Sequence, residues 1–186
     1  MKLTQEGLEK SQISQKKVLL IIAQEDYQDH ECGAPKKILE DAEIEVVIAS
    51  KQIGVCHGAF GAITEATVAI AKVNVSDYDA IIFIGGAGAV GYQHDVQAHL
   101  TAQEAINREK ILGAICIAPT ILAYAGVLEG KKATVWNEDG KQAEILTKNG
   151  AEFVDELVVV DGKIVTANGP PAAEAFGKKI LEMLKE

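Results

Sequence analysis

The first sixteen residues (MKLTQEGLEKSQISQK) are mostly polar, and the first unbroken apolar run follows at residues 18–23 (VLLIIA). A run without polar alternation fits a parallel strand covered by helices on both faces. Residues 29–41 then carry Cys32, Pro35, Ile38 and Leu39 at helical spacing, and residues 44–49 (IEVVIA) return to strand composition, which predicts a β-α-β unit. Residues 54–64 (GVCHGAFGAIT) are glycine-rich and apolar without a clear period, the mark of a loop or small hairpin. A second buried strand at 80–84 (AIIFI) runs straight into Gly85-Gly86-Ala87-Gly88, where missing side chains let the backbone turn tightly.

The pattern continues with a helix at 96–109, a third buried strand at 111–115 (ILGAI) and a helix at 118–125 that stops at Gly126. Cys116 falls at that strand-to-helix junction. Beyond it we expect a strand at 133–136, a helix at 141–149, two strands at 157–160 and 163–167 paired about an Asp161-Gly162 turn, and a final amphipathic helix at 172–185. Strands alternating with helices predict an α/β fold with an open, mostly parallel sheet and helices on both faces. There is no repeat or linker, and a chain of 186 residues fits one core, so residues 17–186 are expected to form a single domain behind a polar N-terminal extension, 1–16. In such sheets sites form where strands end at a crevice, and three segments end there: 24–31, 85–88 and 116–120.

Composition narrows the classes of function. The hydrophobic fraction of 48% suffices to bury a continuous sheet, and a net charge of −9 would repel phosphate backbones and anionic lipid, so neither nucleic acid nor membrane is an expected partner. No apolar run approaches the roughly 20 residues that span a bilayer, and the polar start lacks a secretory signal. The three cysteines, Cys32, Cys56 and Cys116, are odd in number and show no disulfide or zinc spacing, which fits the reducing cytoplasm. No pair of histidines has zinc-like helical spacing with a carboxylate, so no metal is expected.

A residue wedged between a buried strand and a helix is held in a tight turn that lifts its side chain clear of the sheet. Cys116 has that placement, and the helix N-terminus beside it would favour thiolate over thiol. Cysteine is also among the most buried residue types, so position alone leaves Cys116 open as a small core hydrophobe.

The wording of the segment ILGAICIAPTILAYAGVLEGKKAT resembles the nucleophile region of the ThiJ/PfpI superfamily, which includes a protein deglycase and an archaeal intracellular peptidase. The likeness extends to YDAIIFIGGAGA, to DHECGAP and to VDGKIVTANGP, and so covers almost everything after residue 16. It implies a flavodoxin-like three-layer sandwich, usually a homodimer, with Cys116 as nucleophile. It also implies an acidic residue reaching the cysteine from the first loop. That residue is Glu31, four before Pro35 as the family pattern requires; Glu25 and Asp29 are the nearby alternatives.

A carboxylate and a thiolate in contact repel, so the pair should share a proton, with the Glu31 carboxyl raised and the Cys116 thiol lowered. Glu31 could then serve as general acid and base. An oxyanion formed by attack on a carbonyl would be met by the backbone N–H groups of Gly86 and Ile117, with Gly85, Ala87, Trp136 and His94 as candidate pocket residues. The chain departs from the peptidase branch at Ile117, where that branch carries a histidine, and Trp136 lies near the position of a histidine in the deglycase branch.

These features point to a cofactor-independent enzyme acting on small carbonyl compounds, by glyoxalase or deglycase chemistry. Two other readings use the same residues: a redox-sensing or chaperone-like stress protein with an oxidisable Cys116, and a peptidase or amidase, which the missing histidine weakens.

Overall fold

The computed structural model describes residue 13 and residues 15–186, so most of the expected N-terminal extension lies outside the described residues. Seven strands form the central sheet: β1 (Lys17–Ile21), β3 (Glu45–Ser50), β6 (Val68–Ala69), β7 (Ala80–Phe83), β8 (Ile111–Ile115), β11 (Val158–Asp161) and β12 (Ile164–Ala167). Their spatial order is β11-β12-β8-β7-β1-β3-β6. All neighbours run parallel except β11 and β12, which form an antiparallel hairpin. The side chains of β7 and β8 are buried along their whole length, which is why these strands read as unbroken apolar runs.

Helices flank this sheet. On one side α1 (Asp29–Asp41) packs on α5 (Ala173–Lys185); on the other lie α2 (Val96–Asn107) and α3 (Pro119–Tyr124), with α4 (Lys141–Lys148) against α3. The result is the expected flavodoxin-like sandwich. The α1–α5 crossing is close, since a Cβ on Gly177 would lie 2.8 Å from the Cα of Pro35. Pro35 sits inside α1 and has no N–H, so the carbonyl of Glu31 receives no bond from it and the first turn of the helix is held in other ways. One of these is the Gln28 side chain, which accepts the Glu31 N–H at 2.9 Å.

Counted along the chain, the core order β3-β1-β7-β8-β12 is second, first, third, fourth, fifth. The connections leaving β1 and β7 therefore diverge, and the crevice between them is the place where open α/β sheets bind ligands. The segments following β1, β7 and β8 all meet there.

Several elements differ from the sequence reading. The first loop holds a three-residue strand, β2 (Glu25–Tyr27), which joins a small second sheet with β4 (Gly54–Gly58) and β5 (Ile63–Ala66). The glycine-rich segment is thus a hairpin, its tip tied to α1 because the Asp29 carboxylate accepts the N–H groups of Phe60 and Ala62 at 3.0 and 2.7 Å. The strand expected at 133–136 shrinks to β9 (Lys132–Ala133), paired with β10 (Glu152–Phe153). The backbone of Trp136 instead turns to Cys116. The β11–β12 turn is Gly162-Lys163, one residue later than expected, with Gly162 at φ +62°.

Candidate active site

Cys116 directly follows β8 and adopts φ +63°, a left-handed conformation that is uncommon for any residue but glycine. The surroundings hold it there. Its N–H donates to the carbonyl of Ala167 on β12 at 2.9 Å, and its own carbonyl accepts the N–H of Trp136 at 2.8 Å. The next turn closes when Ala118 N–H donates to Ile115 and Thr120 N–H to Ile117, each at 3.1 Å, leading into Pro119 at the start of α3. A thiol on a sharp strand-to-helix turn is half-buried and lifted off the sheet, as the sequence implied.

Glu31 comes to the same place from the first turn of α1. It is fully buried, and its Oε2 accepts the Gly85 N–H at 3.1 Å. A Cβ on Gly85 would lie 2.5 Å from both Glu31 Oε2 and the Cβ of Cys116, so no side chain fits between carboxyl and thiol. Gly86 has φ +103°, and a Cβ there would collide with the backbone of Asp26 and Gln28. Gly85 is bonded to the first loop through its carbonyl, which accepts the Gln28 N–H at 3.0 Å.

Burial raises the Glu31 carboxyl from its ordinary 4.5 to about 7, with the Cys116 side chain and the Gly85 N–H opposing the rise. Glu31 Oε1 is buried without a partner in hydrogen-bonding geometry, so Cys116 bears on the carboxyl as a neighbour rather than through a well-formed bond. The Cys116 thiol is pushed up to about 12, first by burial and then by the negative charge of Glu31, while the backbone N–H groups of Gly86 and Ile117 pull it down. The raised carboxyl agrees with the sequence reading; the raised thiol does not. Burial is the largest cause of that rise, and the charge of Glu31 adds to it until Glu31 takes a proton. The pair therefore resists carrying two negative charges, with Gly86 and Ile117 favouring charge on sulfur and Gly85 favouring it on oxygen.

Of the three acidic candidates, only Glu31 is directed at Cys116. Glu25 is exposed and pairs with His57 Nδ1 at 3.1 Å, and Asp29 is spent on the hairpin. The Gly86 and Ile117 N–H groups, expected at an oxyanion, bear on the sulfur itself. Trp136 is half-buried, with its Cδ1 facing Gly169, and joins the site through its backbone. Ala87 is exposed at the start of the 3-10 helix Ala87–Tyr92. His94 is exposed and its ring lies 4.4 Å from that of Tyr124. Among the described residues no histidine hydrogen-bonds Cys116 or Glu31, and no group of three or more His, Cys, Asp or Glu is placed to hold a metal.

Sequence reasoning missed Gln28, Gln93 and Thr120. Gln93 Nε2 donates to Thr120 Oγ1 at 2.9 Å, and that hydroxyl donates to the Ile117 carbonyl at 2.6 Å. A Thr one turn after the cysteine was the only available signal.

A sequence model of the DJ-1/PfpI family matches residues 16–183. An uncharacterized protein of Methanocaldococcus jannaschii is 35% identical over 187 residues, covering 100% of this chain and 91% of its own length. A deglycase of Pyrococcus horikoshii is 32% identical over 91% of this chain and 99% of its own. Among solved structures, a ThiJ/PfpI domain protein from Brachyspira murdochii superposes with a TM-score of 0.87 at 28% identity, covering 90% of this chain and 95% of that one. The chain belongs to the DJ-1/PfpI family.

Proposed function

We propose that this member of the DJ-1/PfpI family is a cysteine-dependent enzyme acting on small carbonyl compounds such as 2-oxoaldehydes and their adducts, with Cys116 as nucleophile and Glu31 as proton carrier. The observation that carries this reading is a fully buried Glu31 carboxyl with an unpartnered oxygen and a pKa of about 7, set against a cysteine held at φ +63°. A carboxyl poised near neutrality can both take and return a proton. The deglycase name of the Pyrococcus horikoshii relative supports the same class.

Glu31 takes the thiol proton as sulfur bonds to the aldehyde carbon, the carbonyl electron pair moves onto oxygen, and Glu31 returns the proton there to give a hemithioacetal. Glu31 then removes the hydrogen from that carbon as a proton while electrons move to the adjacent ketone, forming an enediolate, and the hydroxyl proton passes from the first oxygen to the second. Return of the proton to the neighbouring carbon yields a 2-hydroxyacyl thioester, which water cleaves to a 2-hydroxy acid and the free thiol. One carbon is oxidised and its neighbour reduced, so no external oxidant or cofactor is required. The N–H groups of Gly86 and Ile117 hold charge on sulfur at the start and can serve the oxyanion next to it.

Peptide cleavage fits less well. It must protonate an amine leaving group, and Ile117 offers no proton. The three free cysteines fit a reducing cytoplasm. Exposed Ile53, Val55, Phe60 and Ile63 on and beside the β4–β5 hairpin fit self-association as a homodimer. The test is a panel of 2-oxoaldehydes, amides and peptides assayed with wild type and Cys116→Ala. Aldehyde conversion lost in the variant supports the reading; peptide hydrolysis lost in the variant, without aldehyde conversion, replaces it with a peptidase.

A further inference from the structure

Two loops flank the Cys116 side chain: the connection after β7, where a Cβ on Gly85 would lie 2.5 Å from the Cys116 Cβ and the next N–H is that of Gly86, and the turn after β8, which carries the N–H of Ile117; both N–H groups favour charge on the sulfur. The loops belong to different strands, and nothing in the parallel ladder fixes the gap between them once the strands have ended. Among the described residues, one side-chain pair crosses it. Thr120 is fully buried, and its single hydroxyl proton goes to the Ile117 carbonyl at 2.6 Å. The group facing the oxygen from the other side must then be a donor, which assigns the Gln93 amide nitrogen, 2.9 Å away. Gln93 caps the C-terminal end of the 3-10 helix Ala87–Tyr92, and Gly86 caps its N-terminal end. Its own carbonyl accepts the Nε2–H of His99 at 2.7 Å, which anchors that end of the loop to α2.

We infer that the Gln93–Thr120 pair is a positioning strut that sets the width of the cradle around the Cys116 sulfur, and thereby the reactivity of the thiol. Gln93 holds the Gly86 side and Thr120 the Ile117 side. The strut touches neither the sulfur nor a substrate. Its effect is indirect: loss of the crossing bond lets the Ile117 peptide and the glycine loop drift apart, the N–H groups lose their aim, and charge on sulfur becomes less favourable. The inference rests on Cys116 being the reactive thiol, but its test needs no turnover.

The test is the pH profile of Cys116 alkylation by iodoacetamide, followed site by site by mass spectrometry at a temperature well below unfolding, for wild type, Thr120→Val, Thr120→Ser, Gln93→Met and the double variant T120V/Q93M. Thr120→Val keeps the shape and removes the hydroxyl, and should slow alkylation at pH 7 by about fivefold, the worth of one hydrogen bond, with the profile displaced to higher pH. Gln93→Met should do the same. Thr120→Ser should stay within about twofold of wild type, and the double variant should match the singles, because each change breaks one shared bond. Superposition of the Thr120→Val and Gln93→Met profiles on wild type, with only a lowered Tm, would overturn the inference. So would strictly additive losses in the double variant. Absence of 2-oxoaldehyde conversion by wild type would count against the proposed function and leave this measurement intact.

Discussion

Cys32 and Cys116 offer a comparison within one molecule. Cys32 follows Glu31 on α1 and is 3% exposed; Cys116 faces Glu31 from the end of β8. Burial pushes both thiols up to about 12. The surroundings differ. Cys32 sits within the helix, opposed in its rise only by the charge of Lys36 one turn on. Cys116 has two backbone N–H groups, a carboxyl that can take up a proton, a left-handed backbone and access from outside. Burial by itself makes a thiol inert, and reactivity depends on groups that hold the charge at the moment it forms.

The largest effect should come from removing each of the two thiols in turn. Cys116→Ala is expected to lower 2-oxoaldehyde turnover by about 10³-fold or more, while Cys32→Ala leaves it within about threefold. Comparable losses in steady-state assays would erase the distinction. Next in size, Glu31→Gln should slow turnover by about 10²-fold and Glu25→Gln should do little, because Glu25 is occupied outside with His57. Equal effects would mean that the carboxyl serving Cys116 has been misassigned.

The comparison can be sharpened by pH. Burial lifts the folded Glu31 carboxyl from 4.5 to about 7, so its protonated form favours the fold. That contribution is fully present below about pH 4.5 and lost as pH rises through about 7, on the order of 3 kcal/mol by linkage. Glu31→Gln is neutral throughout and should gain stability relative to wild type between pH 5 and pH 8, measured by urea unfolding. A difference independent of pH would show that the carboxyl is not held above its ordinary range. The smallest readout is selectivity: iodoacetamide should modify Cys116 first in folded protein, with Cys32 and Cys56 protected until unfolding. Earlier modification of Cys32 would break the contrast directly.

Where the chain obeys one strong rule, its structure was legible. The runs at 18–23, 80–84 and 111–115 lie over β1, β7 and β8 because strands buried on both faces admit no polar alternation. The placement of Cys116 at a strand end followed from that. β2 was illegible for the opposite reason: Glu-Asp-Tyr has no apolar run, two of its residues are exposed, and it is held by pairing with β4 and by the Tyr27 hydroxyl on Thr64. Neither the φ of Cys116 nor the bond from Gln93 to Thr120, 27 residues apart, leaves a periodic trace. The raised Cys116 thiol was missed because a helix N-terminus is visible in sequence, whereas the desolvation opposing it exists only after packing.

The bond from Cys116 N–H to the Ala167 carbonyl carries a consequence for biosynthesis. The nucleophile turn draws on Glu31, Gly85 and Trp136, but it also leans on β12, a strand that leaves the ribosome after Cys116. Since chains emerge N-terminus first, a nascent polypeptide displays Cys116 well before β12 exists to clamp it. Its thiol is then an ordinary one, without the fixed turn that aims it. Reactivity is acquired only once β12 has joined the sheet, so products that stop short of that strand carry the cysteine without its chemistry.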